Sequence, residues 1–388
     1  MSLTSFDEID TIPTTILKEK IRDMQIGMIG LPLSGKTTVF NALTHGHAET
    51  SMGGARKDAN RGVAYVPDER IDFLTKLYTP KKVTYATVEF TDVAGLTKGS
   101  GQEKGFSKEF LGNLRDMEAL LVVIRVFRSD SIPHPDGSVD PARDLETIMT
   151  ELILADLLIV ENRLKRIEES WNKLVDKRKE LQAEKESLLR FRDALENNHP
   201  IFYVDPTALE VDQFIRPYGL LSGKQMLVLA NIADRTDVNE LADLRGLEER
   251  CQAWNLSCAI INAKLEHNLH EFPESEWDEF FQAYGLEGPA KRQVIQESYR
   301  ILRRQSFLTC GPDEVRAWTI PIGIAAQQAA GKIHSDIERG FIRAETIAFD
   351  DLKDYGSEDQ VKKAGRYRLE GKDYVVQDGD VITFRFSV

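Results

Sequence analysis

The sequence contains few cysteines and no long apolar run. Only three cysteines occur among its 388 residues, and their positions (251, 258 and 310) match neither a disulfide framework nor a zinc-ligand spacing. No uninterrupted apolar stretch approaches the roughly 18 residues that a membrane-spanning helix needs. The opening residues also lack the basic-then-apolar pattern of a secretory signal. We therefore expect a cytoplasmic protein with reduced thiols and no membrane partner.

Basic residues are outnumbered as well. The chain has 50 Lys and Arg against 63 Asp and Glu, a formal net charge of −13. Proteins that coat nucleic acid neutralise phosphates with clustered basic side chains, so this balance argues against bulk DNA binding and leaves only a local basic face open. The 41% hydrophobic and 29% charged composition is that of a folded protein. At this length, two or three domains are expected.

Short apolar runs alternate with helical stretches in the first part of the chain. Such near-continuous apolar strands favour a parallel sheet covered by helices on both faces, with ligands at the carboxyl ends of the strands. We therefore predict an α/β class with a doubly wound, mostly parallel sheet. The candidate strands are residues 25–29, 63–66, 87–91, 119–126, 225–230 and 257–261.

Two later regions have a different pattern. Residues 143–199 contain no Gly or Pro and show apolar residues at helical spacing, which predicts an antiparallel helical hairpin whose second helix spans about 173–196. This region has 11 basic and 13 acidic residues, so a solvated outer face is favoured over a specific binding face. The terminal region has short β-like runs at 315–320, 343–347, 366–370, 374–376 and 381–386, which predict a small α+β domain. The predicted division is a lead-in at 1–23, a nucleotide-binding domain at 24–142 and 200–303, an inserted hairpin at 143–199 and a terminal domain at 304–388.

The strongest motif is GLPLSGKT, a Walker A loop between a predicted strand and a predicted helix. Its backbone amides are expected to surround phosphate oxygens, which requires glycine where a Cβ would block the approach, at Gly30 and Gly35. The positive end of the following helix favours the anion. Lys36 is expected at the β- and γ-phosphates in a catalytic role, and Thr37 as a direct Mg²⁺ ligand. The predicted phosphate-binding residues are Gly30, Leu31, Pro32, Leu33, Ser34, Gly35, Lys36, Thr37 and Thr38.

A second motif supplies the other half of a Mg-nucleotide site. Asp92 follows the predicted strand 87–91 and forms an Asp-x-x-Gly sequence with Gly95. We expect Asp92 to hold Mg²⁺ through a water, and the amide of Gly95 to contact the γ-phosphate and to move when that phosphate leaves.

The motif for base selection is ambiguous. Strand 225–230 ends in Asn-Ile-Ala-Asp, where a guanine-specific GTPase has Asn-Lys-x-Asp. Asp234 still offers acceptors to guanine, but Ile232 lacks the charge and stem of the missing lysine. Both ATP and GTP therefore remain open as ligands. The predicted base-binding residues are Asn231, Ile232 and Asp234, with the loop Asn262, Ala263 and Lys264 over the base.

The group that activates water is also unsettled by the motifs. Many related hydrolases have a glutamine directly after the Asp-x-x-Gly glycine, and Leu96 stands there instead. Either hydrolysis is slow without a partner, or a polar group comes from the loop after strand 119–126. His134 is the candidate, because an imidazole orients or deprotonates water near neutral pH. The alternative is an ordinary surface histidine.

With these motifs, residues 24–388 resemble the YchF family of Obg-related P-loop NTPases. The resemblance extends to VPDERIDFL at 66–74, DVAGLTKGS at 92–100, FLGNLRD at 110–116, GSVDPARDLE at 137–146 and the terminal block that ends in DGDVITFRFSV. It implies a G domain with an inserted helical hairpin and a β-grasp-like TGS domain. It also implies a cytosolic ATPase, sometimes also a GTPase, that associates with the ribosome or its RNA. In that family an apolar residue at Leu96 is expected, and the loop of His134 is a source of the catalytic group.

Three departures from the family pattern stand out. The family usually has glutamate where this chain has Asp234, segment 50–62 lacks the usual Asn-Tyr-Pro-Phe-x-Thr-Ile stretch, and segment 102–108 is less glycine-rich. They suggest a divergent branch with altered switching or partner coupling. The leading hypothesis is a nucleotide-switched, ribosome-associated triphosphatase. The alternatives are a kinase-like phosphotransferase, for which no arginine-rich lid is evident, and a slow or inactive nucleotide-binding scaffold.

Overall fold

The computed structural model describes residues 24–44, 60–93, 106–171, 173, 175–233, 238–269, 277 and 288–387. The chain divides into two units. The first contains the described residues up to Ala64 and those of Glu89–Val294, and the second contains those of Tyr65–Val88 and Ile295–Val388.

The strands and main helices of these ranges are numbered in chain order. The strands are β1 Gln25–Ile29, β2 Asn60–Tyr65, β3 Lys82–Thr84, β4 Thr87–Asp92, β5 Ala119–Arg125, β6 Gln225–Asn231, β7 Ser257–Ile261, β8 Arg304–Thr309, β9 Glu314–Pro321, β10 Phe341–Ala348, β11 Arg368–Glu370 and β12 Asp380–Phe386. The helices are α1 Lys36–Thr44, α2 Glu69–Tyr78, α3 Lys108–Arg115, α4 Pro141–Ser170, α5 Arg178–Glu196, α6 Val238–Ala253, α7 Ala263–Asn268, α8 Ala290–Ile301, α9 Ala326–Ile333, α10 Ser335–Arg339, α11 Phe349–Tyr355 and α12 Glu358–Lys363.

The first unit is built around a sheet with the strand order β2-β4-β1-β5-β6-β7. Strand β1 pairs in parallel with β4 and β5, and β6 pairs in parallel with β5 and β7. Every residue of β1 and β5 is buried, which explains why these strands are continuous apolar runs in the sequence. The predicted α/β class with a mostly parallel sheet is confirmed. Strands β1 and β7 have the predicted bounds, and the others differ by at most three residues.

The predicted helical hairpin consists of α4 and α5. Asp140 caps the first helix by accepting the Arg143 N–H at 3.1 Å, and Pro141 occupies the first helical position. The two helices share an apolar core that includes Leu164, Ile167, Leu181, Leu188 and Phe191. The second helix begins at Arg178 and not near 173, because Val175–Lys177 form a 3-10 turn before it.

A buried carboxylate ties α4 to the segment before β6. Asp156 is fully buried and accepts the backbone N–H groups of Leu221 at 2.8 Å and Ser222 at 2.6 Å, together with the Ser222 hydroxyl at 2.7 Å. Burial raises the pKa of Asp156 to about 6, and these hydrogen bonds oppose that rise. The base of the hairpin is therefore fixed in the first unit by polar contacts as well as by its apolar core.

The second unit has its own sheet, with the order β11-β10-β12-β8-β9-β3. Its edge strand β3 comes from the Tyr65–Val88 segment and pairs in parallel with β9, with Lys82 opposite Glu314. The hydroxyl of Thr84 donates to the carboxylate of Glu314 at 2.7 Å. In the preceding α2, Ile71 and Leu74 are fully buried.

The terminal region differs in two places from the predicted strands. Strand β8 was not predicted, and residues 374–376 form only an isolated bridge between Val375 and Ala325. Residues 65–88 group with this unit by their contacts, whereas the sequence division assigned them to the nucleotide-binding domain. The predicted five-part division stays a prediction. None of the helices in the described ranges has the length and apolar character needed to cross a bilayer.

Candidate functional site

The Walker A loop connects β1 to α1 in a conformation that depends on its glycines. Leu33 and Gly35 both have positive φ angles, 65° and 87°. A Cβ at Gly30 would lie 2.5 Å from the carbonyl oxygen of Val123 and 2.7 Å from the Ser34 hydroxyl. The close approach therefore excludes a larger residue at Gly30, and the φ angle of Gly35 is one that glycine adopts without strain, as an anion cradle made of backbone amides requires.

Three residues predicted from two separate motifs meet at the mouth of this loop. The ammonium of Lys36 contacts one carboxylate oxygen of Asp92 and donates to the carbonyl of Val93 at 3.1 Å. The Thr37 hydroxyl donates to the other carboxylate oxygen of Asp92 at 3.2 Å. Asp92 comes to this point because β4 lies beside β1, with Met28 and Asp92 paired.

The charges and donors of this cluster suit a metal-bound polyphosphate. Burial lowers the pKa of Lys36 to about 8, and the adjacent carboxylate of Asp92 favours the charged form. Thr37 and Asp92 present a hydroxyl and a carboxylate side by side, which are the hard oxygen ligands that Mg²⁺ prefers. The residues present therefore fit a magnesium ion.

Asn231 links the phosphate loop to the predicted base-binding residues after β7. The prediction of a loop at residues 262–264 is wrong, because Asn262 caps α7 and the helix begins at Ala263. Its side-chain amide donates to the carbonyl of Ser34 at 3.1 Å, and its side-chain oxygen accepts the N–H of Ala263 at 3.2 Å. The residue is only 4% exposed. Both polar atoms of the Asn231 side chain are therefore hydrogen-bonded to backbone groups. The contact between Asn231 and the base, which the motif suggested, stays a prediction.

A cavity of about 530 Å³ lies beside the phosphate loop. Its volume is in the range of small-molecule sites. The predicted residues in its wall are Leu33, Gly35, Thr38, Asn231, Ile232, Asn262, Ala263 and Lys264. The wall also contains Phe127, Arg128, Ser129, Ser131 and Ile132, which no motif indicated. These residues follow β5, and the carboxyl end of β5 lies beside that of β1. Their position in the chain could therefore have predicted that they lie near the phosphate loop. Gly95, Leu96 and Asp234 lie outside the described residues.

His134 lies near the phosphate loop but has both ring nitrogens engaged. Its Nδ1 accepts the N–H of Asp136 at 3.2 Å, so Nε2 carries the proton and donates to Asp144 at 2.9 Å. The side chain is 4% exposed and lines a narrow space with Leu31 and Ser34. Orienting water would require the imidazole to leave Asp144, and its catalytic role stays a prediction.

Asp144 also has a cationic neighbour. Arg143 donates to its other carboxylate oxygen at 2.9 Å and 3.2 Å. The ring of His134 and the carboxylates of Asp136 and Asp144 come close enough together to hold a metal ion. Because Arg143 and His134 already use both oxygens of Asp144, we interpret this group as an ion-pair network that holds the loop.

The comparisons with known proteins match nearly the whole chain. Residues 304–387 match the family model YchF-GTPase_C, which is described as a protein of unknown function, and residues 25–163 match a model described as a 50S ribosome-binding GTPase. The "Ribosome-binding ATPase YchF" of Bacillus subtilis is 41% identical over 370 residues, covering 93% of this chain and 99% of the relative. The chain belongs to the YchF family.

Other YchF relatives agree in sequence and in structure. The "Obg-like ATPase 1" of rice is 36% identical over 371 residues, covering 94% of this chain and 92% of that protein. The solved structure of the Schizosaccharomyces pombe YchF GTPase superposes with a TM-score of 0.81 at 30% identity, covering 94% of this chain and 98% of that one. The predicted family and the P-loop NTPase fold are therefore confirmed.

In this YchF chain a buried arginine shapes the cavity wall. Arg125, at the end of β5, is 2% exposed and donates to the carbonyls of Phe127 at 3.1 Å and Ile132 at 2.7 Å. Its guanidinium also lies over the Phe127 ring, 4.5 Å from the centroid. The only sequence signal was a charged residue at the end of an otherwise apolar strand.

The segments that depart from the YchF pattern fall largely outside the described residues. At the described end of the first, Gly62 packs closely on α1: a Cβ there would lie 2.6 Å from Thr44 and 2.9 Å from Phe40. In the second, Ser107 caps α3 by accepting the Phe110 N–H at 3.1 Å. The predicted effect of these departures on switching stays a prediction.

Proposed function

We propose that this YchF-family protein is a P-loop triphosphatase that binds Mg-ATP, hydrolyses it slowly without a partner, and associates with the ribosome in the cytoplasm as a nucleotide-switched regulator. The observation that carries the proposal is the convergence of Lys36, Thr37 and Asp92 at the mouth of the glycine loop. The cavity beside that loop has room for a nucleoside. Relatives named ribosome-binding ATPases support the partner and the nucleotide.

The residues of the site would have separate roles in binding the phosphates and the metal ion. The loop amides and Lys36 hold the β- and γ-phosphates and stabilise the charge that develops as the terminal phosphoryl group leaves. Thr37 and Asp92 would hold Mg²⁺, which, when bound, neutralises charge on the phosphate oxygens. Asn231 keeps the phosphate loop and the start of α7 at Ala263 in a fixed relation.

ATP is the proposed nucleotide because Ile232 replaces the lysine that braces guanine in GTP-specific proteins. Calorimetry with non-hydrolysable ATP and GTP analogues and Mg²⁺ tests this. We expect the ATP analogue to bind about 10-fold more tightly or better, since hydrogen bonds unmatched at a base edge cost on the order of 1–3 kcal/mol. The variant Ile232→Lys should shift the ratio toward GTP. Absence of binding of either analogue at millimolar concentration would overturn the proposal.

Assays of phosphate release and phosphate transfer with the wild-type protein distinguish hydrolysis from the alternatives. Release of inorganic phosphate without an added acceptor supports a hydrolase, whereas transfer of labelled phosphate to a small molecule identifies a phosphotransferase. Binding without turnover, with and without ribosomes, identifies a scaffold.

His134 is proposed to orient the attacking water after it leaves Asp144. Replacing it by alanine should lower kcat for ATP about 100-fold, in the range of general acid–base contributions, while the affinity for an ATP analogue changes less than about 3-fold. His334→Ala, at an exposed histidine of the second unit, is the matched control and should leave kcat unchanged. An unchanged kcat in His134→Ala, or equal losses of kcat and thermal stability in His134→Ala and Asp144→Asn, would assign His134 a structural role.

A further inference from the structure

Charge is sorted along the helical hairpin. Residues 163–179, here called the hairpin tip, contain seven basic and three acidic residues. The rest of residues 143–199 contain four basic and ten acidic residues. The tip therefore has a net charge of +4 in a chain whose total is −13. A merely solvated face does not require such sorting, because mixed charges serve solubility equally well.

Most of the basic side chains at the tip face solvent. Lys165, Arg166, Lys173, Lys177 and Lys179 are all exposed. Among the residues that the structure describes, none of these five forms an ion pair. Their charge is therefore available to an external anion.

The remaining tip charges are partly neutralised within the hairpin. Arg163 binds Glu184 with two hydrogen bonds of 2.6 and 2.9 Å, and Glu168 lies 3.5 Å from Lys185. Glu169, on the same end of α4, and Asp176, just before Lys177, are the other two acidic residues of the tip, and both are exposed. These pairs fix the two helices against each other and leave the positive excess at the turn.

Both helices contribute to one patch. Leu164 and Ile167 of α4 pack in the same core as Leu181 of α5, so the end of α4 and the start of α5 lie together. With a rise of 1.5 Å per residue, Lys165 lies about 7.5 Å along the axis from Ser170, the last residue of α4. The exposed basic groups thus concentrate within a short distance of the turn, comparable to the spacing of a few phosphates.

An aromatic residue completes the patch. Trp171 follows α4 directly and is partly exposed. The guanidinium of Arg178 lies over its ring, 5.9 Å from the centroid, and donates to its carbonyl at 3.4 Å. An indole paired with an arginine plane, ringed by lysines, is a surface on which an unstacked base and its phosphates bind.

We propose that the hairpin tip is an RNA-binding surface that contacts a single-stranded or looped segment of ribosomal RNA. This inference rests on the proposed association with the ribosome and names the part of the protein that makes the contact. Lys173, Lys177 and Lys179 neutralise phosphates, and Trp171 stacks on a base. The favoured partner is RNA and not an acidic protein surface, because the indole–guanidinium pair matches a base.

The test compares two charge-matched variants. Lys173→Gln/Lys177→Gln/Lys179→Gln removes three tip charges, and Lys353→Gln/Lys363→Gln/Lys372→Gln removes three exposed charges from the second unit. Binding to purified ribosomes and to deproteinised ribosomal RNA is measured across a salt series. We expect the tip variant to bind both about 10-fold or more weakly, and the slope of log affinity against log salt to decrease by about 2. The control should retain wild-type affinity and slope.

A single substitution separates stacking from charge. Trp171→Leu should weaken binding about 5-fold and leave the salt slope unchanged, because it removes no phosphate contact. ATP hydrolysis without ribosomes should be normal in all three variants, which also shows that they fold.

The possible outcomes separate a failure of the tip assignment from a failure of ribosome association. Wild-type binding with no loss in the tip variant overturns the tip assignment and leaves ribosome association standing. Equal losses in the tip variant and the control show an effect of total charge, which also overturns it. Loss on intact ribosomes with normal binding to naked RNA identifies a protein contact instead. Failure of the wild-type chain to bind either probe overturns ribosome association itself.

Discussion

Replacing Lys36 by alanine is expected to lower kcat/KM for ATP about 100- to 1000-fold. The ammonium lies at the mouth of the glycine loop, where it contacts Asp92 and the carbonyl of Val93. A fixed positive charge at this point stabilises the transferring phosphoryl group, and removal of one such donor typically costs that much in rate. Single-turnover hydrolysis of labelled ATP measures the loss.

Lys36→Arg is the control for charge alone. It keeps the cation but not the compact ammonium, so we expect an intermediate rate. The thermal unfolding of each variant shows whether Asp92, left without its cation, has destabilised the first unit. Wild-type turnover by Lys36→Ala would contradict the assignment of the phosphate site.

Replacing Asn231 by alanine should have the second-largest effect. The carbonyl of Ser34 and the N–H of Ala263 would lose their partner in a region where Asn231 itself is 4% exposed. Each buried group left without a partner costs about 1–3 kcal/mol. We expect the free energy of unfolding of the first unit to fall by about 2–4 kcal/mol, and the affinity for an ATP analogue to fall 10- to 100-fold. Urea unfolding and calorimetry measure the two.

Asn262→Ala is the matched comparison for Asn231. Asn262 caps α7 by accepting the N–H of Leu265 at 2.9 Å, and loss of such a cap costs about 1 kcal/mol. The first unit should therefore lose less stability in this variant than in Asn231→Ala. Equal and small losses in both would show that Asn231 does not link the phosphate loop to α7.

The phosphate site could be predicted from sequence because its signals are local. A strand, a glycine loop and a helix follow one another in the chain, and they fix the positions of Lys36 and Thr37. Asp92 required one more inference, that parallel strands end at the same edge of the sheet. The parallel pairing of β1 with β4, in which Met28 lies opposite Asp92, agrees with that inference.

Other parts of the site depend on contacts without a local signal. The motif suggests that Asn231 recognises a base, but a sequence does not reveal that both polar ends of its side chain meet backbone groups. Arg125 binds the loop after β5 through the backbone carbonyls of Phe127 and Ile132. Because every residue has a backbone carbonyl, no pattern of side chains predicts these partners. The pairing of β3 with β9 joins residues more than two hundred positions apart, beyond the reach of periodicity.

That pairing limits how the protein can be divided. A fragment beginning at residue 304 would lack β3 and leave one side of β9 without its neighbour. It would also lack Phe73, whose ring packs edge-on against Phe349 at 5.6 Å. An exchange of the carboxyl-terminal region between family members would therefore have to transplant residues 65–88 as well, so the natural module is discontinuous in the gene.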